Sequence, residues 1–241
     1  MNTGNGSRAH EGPLRLRTVP ADPAAAVVLL HGGRADALTA PTRLDLPAVR
    51  MLPFARAITR RVLPGKLLIA DVRYRHRGWN GARADAARDA REALDELTEL
   101  HPTVPMVLVG HSMGGRAALR AADHPQVRGV VGLAPWCPPG EPAAHLTGRQ
   151  VIVLHDENDT VTDAHGSWDL LQRAHRSGAM TCGIAMPEGR HAMLRGAADW
   201  HRITAAAVEG ILWPQTMPRA VAAAQAGPVG IVVPAHDVIP A

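Results

Sequence analysis

Lysine, tyrosine and phenylalanine occur once each in the 241 residues, as Lys66, Tyr74 and Phe54, and aromatic residues make up only 3% of the chain. There are two cysteines, Cys137 and Cys182, too few for a disulfide framework, so a reducing compartment and a cytoplasmic location are expected. Residues 1–12 are polar and glycine-rich with no apolar h-region, which argues against a secretory signal. No apolar run is long enough to span a bilayer, so no membrane partner is expected. With lysine so scarce, arginine carries the positive charge, giving a net charge of +4 and a pI near 10. A basic excess admits nucleic acid as a partner. Here, however, Arg83, Arg88 and Arg91 alternate with Asp85, Asp89 and Glu92, the pattern of a solvated helix face, and nucleic-acid binding is not expected.

What is present is a chain able to build a core. Hydrophobic residues make up 46% and charged residues 20%, within the range of folded domains. Short apolar runs at 14–19, 25–30, 66–72, 106–109, 127–133, 150–154 and 181–186 predict strands. Amphipathic stretches at 47–62, 83–100, 113–122, 163–176 and 192–212 predict helices, the clearest being 83–100, where Ala90, Leu94, Leu97 and Leu100 keep to one stripe. Strands alternating with helices predict an α/β fold, a mostly parallel sheet of about six to eight strands with helices on both faces. The apolar character of most of these strands fits burial on two sides. Domain organisation reads as a flexible N-terminus (1–12), one α/β domain (13–213) and an Ala/Pro/Gly-rich C-terminal tail (214–241) expected to be loosely attached. Ile231, Val232 and Val233 form an apolar run there that an edge strand could use, although the composition weighs against it.

The most informative segment is Gly110-His111-Ser112-Met113-Gly114-Gly115, directly after a strand run and directly before an alanine-rich helix. A G-x-S-x-G sequence in that position places its serine on a sharp strand-to-helix turn, with glycines where the two arms come together. The turn exposes the hydroxyl at the carboxyl end of the sheet, facing the N-terminus of the next helix, which favours developing negative charge. Ser112 is the candidate nucleophile.

Gly-His-Ser-Met-Gly-Gly resembles the nucleophile elbow of the α/β-hydrolase superfamily, and the resemblance extends in element order over about residues 25–212. It implies a triad in the order serine, acid, histidine. His155-Asp156-Glu157-Asn158-Asp159-Thr160-Val161 resembles the family pattern H-G-x-x-D-x-x-V with Asp156 in place of glycine. That aligns Asp159 with the acid. Asp156 is its main competitor, Glu157 is a third carboxylate in the loop, and Asp163 is expected to cap the following helix. Gly189-Arg190-His191 looks like the family's base position and makes His191 the candidate base. His111 is expected to pack or hydrogen-bond within the elbow, and His155 to support the acid loop. Two amides are needed for an oxyanion hole. The resemblance implies Met113 for one and the loop His31-Gly32-Gly33-Arg34 for the other, Gly33 first and Arg34 next.

Residues 134–149 contain Pro135, Pro138, Pro139 and Pro142, too short and broken a stretch for a helical lid. The chain therefore looks like a small lidless serine esterase, similar to the dienelactone-hydrolase-like branch, whose nucleophile is cysteine where this chain has Ser112. Arg34 and Trp136 are candidate substrate-binding residues, and Arg73, Arg75 and Arg77 could favour an anionic substrate. The expected activity is hydrolysis of a small-molecule carboxylic ester. Thioester or amide hydrolysis, acyl transfer, cofactor-free perhydrolysis and a non-catalytic binding role are the alternatives, since fold and triad do not choose among them. A metal site from His155, Asp159 and His191 lacks any ligand pair at helical spacing, so no metal and no other cofactor is expected. No oligomeric state is implied.

Overall fold

The computed structural model describes residues 12–41, 45–62, 64–227 and 232–239. The first half of the chain runs β1 (Leu14–Thr18), β2 (Ala25–Leu30), α1 (Leu46–Arg61), β3 (Leu67–Val72), α2 (Asp85–Leu100), β4 (Met106–His111) and α3 (Met113–Arg120). The second half continues β5 (Val127–Leu133), β6 (Gln150–Asp156), α4 (Ala164–Arg176), β7 (Met180–Met186), α5 (Ala197–Leu212), α6 (Arg219–Ala226), β8 (Val232–Pro234) and α7 (Ala235–Val238). All eight strands form one sheet in the order β1-β3-β2-β4-β5-β6-β7-β8. Only β1 is antiparallel to its neighbour.

The sheet carries a core on each face, and strand alternation divides the residues between them. Ala26, Val28 and Leu30 of β2 pack with Ala86, Ala90, Ala93, Leu94 and Leu97 of α2 and with α3 and α4. Ala25, Val27 and Leu29 face the other way, onto Met51, Phe54 and Ile58 of α1 and Trp200, Ile203 and Val208 of α5. Leu100, expected to continue the α2 stripe, is the last residue of that helix and is exposed.

Three local expectations are corrected. The helix expected from residue 83 begins at Asp85, after a 3-10 turn at Gly81–Arg83 and a left-handed Ala84. The helix expected from residue 192 begins at Ala197, because Met193 and Gly196 both have positive φ and break a continuous helix. The segment expected to be loosely attached folds back instead. Val221 and Ala224 of α6 and Ala235 and Val238 of α7 are buried in the second core. β8 pairs parallel with Gly183, Ile184 and Ala185 of β7. The physical reason is the β7 edge, whose backbone groups would otherwise be unpaired beside apolar side chains. Ile231 and residues 1–11 of the expected flexible N-terminus lie outside the described residues. Residues 134–149 hold only a 3-10 turn at Ala144–Leu146, so among the described residues no helical lid follows β5. Among the described residues, no helix is long and apolar enough to cross a membrane.

Candidate active site

The position of the site follows from strand order. From β2 the chain moves to β3 through α1 on one face, then returns past β2 to β4 through α2 on the other. The loops leaving β2 and β4 therefore diverge and open a crevice at their carboxyl ends, where open α/β sheets bind ligands. His31-Gly32-Gly33-Arg34 lines one side of this crevice and Ser112 the other.

Ser112 joins β4 to α3 with φ 55° and ψ −120°. This is a left-handed φ that a serine adopts at a cost of order 1–3 kcal/mol. The surroundings hold it there: its N–H donates to Leu133 O at 3.1 Å, and its carbonyl accepts from Arg116 N–H and Trp136 N–H, each at 3.1 Å. The flanking glycines have no room for side chains. A Cβ on Gly110 would lie 2.3 Å from Gly114 O, and one on Gly114 would lie 2.3 Å from Leu30 O.

His191 stands in the loop between β7 and α5. Its neighbours Gly189, Arg190 and Met193 all have positive φ, which winds the loop tightly. Arg190 N–H donates to Asp156 Oδ2 at 2.7 Å, and the His111 ring donates from Nε2 to His191 O at 2.9 Å. These bonds bring the imidazole to Ser112, whose hydroxyl donates to His191 Nε2 at 3.0 Å. On the other side of the ring, Nδ1–H donates to Asp159 Oδ2 at 2.8 Å. Burial, together with the neighbouring His191, holds the His111 pKa down to about 3, so its imidazole is neutral.

Asp159 lies in the loop after β6 with its side chain fully buried. Oδ1 accepts from Val161 N–H at 2.8 Å and Thr162 N–H at 3.2 Å, and Oδ2 accepts from the Thr162 hydroxyl at 2.8 Å as well as from His191. Burial alone would raise its pKa. Hydrogen bonding from His155, His191, Val161 and Thr162 outweighs this and drives the carboxyl well below the ordinary carboxylate range.

The competing carboxylates are engaged elsewhere. Asp156 bridges the two loops, taking Asn158 N–H on Oδ1 at 2.9 Å as well as Arg190 N–H on Oδ2. Glu157 is exposed. Asp163 caps α4, accepting from His165 N–H at 2.9 Å. His155 supports the acid loop from the end of β6, as its position in the sequence implied.

Met113 is the first residue of α3, so its amide has no carbonyl one turn back within the helix. Across the crevice, Arg34 N–H is taken up by Arg77 O at 2.9 Å, and so is not free to face Ser112. Gly33 itself is close-packed: a Cβ there would lie 2.4 Å from Met113 Cε and 2.5 Å from Arg77 O.

Trp136 follows the strained Ala134 (φ 41°) and is half-buried. It meets Trp79 edge to face at 6.3 Å, and the Arg116 guanidinium lies over both rings, 3.9 Å from Trp79 and 4.5 Å from Trp136. Arg116 in turn pairs with the buried Glu141 at 2.7 Å, and Arg120 reaches the same carboxylate. Arg34 is exposed and makes only backbone bonds among the described residues. Arg73 and Arg75 line a cavity of about 590 Å³ next to the crevice, with Arg15, Arg17, His31 and Asp71. Ser112, Asp159 and His191 do not line it.

Thr162 and Glu141 are the residues that sequence reasoning missed. The Asp159 side chain accepting N–H groups two and three residues on is a local Asx turn that its sequence permits. That Thr162 Oγ1 also lies 3.1 Å from His191 Nδ1 depends on a loop 29 residues away.

An eight-stranded, mostly parallel sheet with a serine elbow after β4, an acid loop after β6 and a histidine loop after β7 defines the α/β-hydrolase fold. Comparison with known proteins agrees. A family model described as serine aminopeptidase, S33, matches residues 73–151. No curated protein sequence matches the chain. Among solved structures, a protein of unknown function from Agrobacterium tumefaciens, described as an α/β hydrolase, is 14% identical with TM-score 0.65, covering 86% of this chain and 94% of its own. A lidless α/β serine hydrolase from Xanthomonas campestris is 17% identical with TM-score 0.54, covering 81% and 86%. An esterase domain of a Rhodothermus marinus protein is 16% identical with TM-score 0.52, covering 82% and 89%. At these identities the likeness is one of fold, and the fold of this chain is that of the α/β hydrolases.

Proposed function

We propose that this protein is a serine hydrolase that cleaves a small carboxylic ester through an acyl-enzyme, with Ser112 as nucleophile, His191 as general base and Asp159 as the orienting acid. One observation carries the reading: a serine held at positive φ donates to an imidazole whose other nitrogen donates to a buried, strongly ionised carboxylate. A serine hydroxyl needs such a base at neutral pH, and the base needs its tautomer held.

The steps follow. Ser112 Oγ attacks the ester carbonyl while its proton passes to His191 Nε2. The oxyanion that forms is held by the amides of Gly33 and Met113. Collapse breaks the bond to the alkoxy oxygen, which takes the proton from His191 and leaves as the alcohol. Water then attacks the acyl-Ser112 carbonyl, giving its proton to His191, and collapse releases the carboxylic acid and restores the serine hydroxyl. No metal or organic cofactor takes part. Trp136, next to Ser112 and fixed by Trp79 and Arg116, walls the substrate site in this reading, and Arg34 flanks its mouth.

The test is hydrolysis of p-nitrophenyl acetate and butyrate by the wild type and by Ser112→Ala, with fluorophosphonate labelling as a second readout. Turnover and labelling that both vanish in the variant are expected. Turnover that survives Ser112→Ala would overturn the assignment. The match of residues 73–151 to the serine aminopeptidase model favours a second reading, amide or peptide hydrolysis on the same residues. Aminoacyl p-nitroanilides cleaved faster than the matched esters would select it.

A further inference from the structure

A second buried imidazole stands in the acid loop. His155, at the end of β6, is fully buried and meets the Trp168 ring edge to face at 6.0 Å. Its Nε2 lies 3.3 Å from Thr162 O, 3.3 Å from Thr162 Oγ1 and 3.4 Å from Asp159 Oδ2. A carbonyl and a carboxylate only accept, so Nε2 must carry the hydrogen. In the neutral ring Nδ1 is then bare, and the Ser167 hydroxyl, 2.9 Å away and also fully buried, is placed to donate to it. Thr162 Oγ1 and Asp159 Oδ2 are shared between two imidazoles, since each also contacts His191 Nδ1, at 3.1 Å and 2.8 Å.

We propose that His155 is a positioning residue for the reaction, a second imidazole whose Nε2–H fixes Thr162 and Asp159 and sets how strongly Asp159 holds His191. The inference rests on the serine-hydrolase reading above. Every N–H aimed at Asp159 spreads its negative charge and stiffens its orientation. Removing one leaves a carboxylate that binds the protonated His191 ring more tightly and the neutral ring less accurately. The low pKa of Asp159, to which His155 contributes, is in keeping with this. The other titratable and charged groups about the pair are few. His111 of β4 lies 4.8 Å from His191, ring to ring, with Arg50 of α1 acting on it from a distance. Asp156 is bonded to Arg190 N–H and Asn158 N–H. Cys137 lies 4.0 Å beyond Ser167 Oγ, its thiol pushed up to about 12 by burial.

The experiment uses the full chain as wild type, His155→Leu, His155→Gln and Ser167→Ala. It reads kcat and KM for p-nitrophenyl butyrate across pH, thermal stability, and the downfield ¹H resonance of the His191 ring N–H. Leucine removes both ring nitrogens. Its kcat/KM is expected to fall about tenfold, what a weaker hydrogen bond to a charged group is worth, with KM nearly unchanged. The acidic limb of kcat/KM should move to higher pH, and the His191 N–H resonance should shift. Glutamine can return an N–H to the Nε2 position and should restore most of the rate. Ser167→Ala keeps the imidazole but releases its tautomer, and should move the same quantities part of the way.

An acidic limb and a His191 resonance that stay at their wild-type positions in Ser167→Ala and in His155→Leu would overturn the proposal, whatever the loss of stability. A glutamine variant as impaired as the leucine one would do the same. If His155→Leu fails to fold, Ser167→Ala decides. A wild type with no turnover and no fluorophosphonate labelling would remove the serine-hydrolase reading. The His191 resonance would still report, without turnover, whether His155 governs the Asp159–His191 bond.

Discussion

Asp159→Asn is the substitution that most sharply tests the site. Every partner of the Asp159 carboxylate is a donor: two backbone N–H groups on Oδ1, and the Thr162 hydroxyl, His191 Nδ1–H and, at 3.4 Å, His155 Nε2–H on Oδ2. An asparagine must set its NH2 against one of these pairs. Placed at Oδ1, it leaves two backbone N–H groups without an acceptor, at about 1–3 kcal/mol each. Placed at Oδ2, it meets a hydroxyl that can rotate, an imidazole that can change tautomer, and the His155 Nε2–H, which keeps Thr162 O as an acceptor at 3.3 Å, so this orientation is the one expected. His191 must then accept on Nδ1 and carry its proton on Nε2, where it can no longer take a proton from Ser112. Loss of the tautomer in a serine–histidine–acid array lowers kcat by about 10⁴-fold, or about 5 kcal/mol of transition-state stabilisation. The assay is kcat and KM for p-nitrophenyl acetate, with KM expected to change little and thermal unfolding measured in parallel. Asp156→Asn serves as the companion, since Asp156 bridges the acid and histidine loops without touching the ring, and a much smaller loss is expected. The reasoning is refuted if Asp159→Asn keeps more than about a tenth of the wild-type kcat/KM, or if Asp156→Asn falls as far.

Three further outcomes are expected. Gly114→Ala sets a Cβ 2.3 Å from Leu30 O and 2.4 Å from His31 O, so α3 must move off β2. A loss of about 1–3 kcal/mol, read by urea unfolding, should accompany a drop in turnover, because Met113 and Ser112 move with the helix. Glu141→Ala removes the buried carboxylate that pairs with the partly buried Arg116 guanidinium over two tryptophans, and should cost about 1–3 kcal/mol, lowering Tm by roughly 2–12 °C in a chain of this size. A change in Tm below about 2 °C would count against that role. The third outcome concerns pH. Asp159 has its folded pKa below the unfolded value, so its ionised form contributes stability that is fully present above the unfolded carboxylate range, about 3.9. That contribution is lost as pH falls below this range toward the lower folded value. The stability gap between wild type and Asp159→Ala should therefore stay level from about pH 7 to 5 and narrow in more acid solution; a gap that widens there would contradict the shift.

Much of this protein was legible before any coordinates. The α/β class follows from apolar runs alternating with amphipathic ones, because a strand buried on two faces has no polar residue to spare. Gly110, Ser112 and Gly114 could be read together because their constraint is local: a turn this tight demands small residues at fixed offsets. The proline-broken stretch at 134–149 already excluded a helical lid. What the sequence left open depended on contacts between distant segments. Asp156 and Asp159 are both carboxylates in one loop. Only the histidine loop, more than 30 residues later, distinguishes them, by donating a backbone N–H to one and a ring N–H to the other. That the Arg34 amide is already engaged follows from Arg77, whose carbonyl takes it from more than 40 residues away. The docking of α6 and β8 was hidden for a related reason. A three-residue strand and an alanine-rich helix carry almost no periodic signal, and the open edge of β7 that they cover exists only once the sheet has formed. Local backbone geometry is written in neighbouring residues; the identity of a hydrogen-bond partner across the crevice is settled only when the sheet brings its loops together.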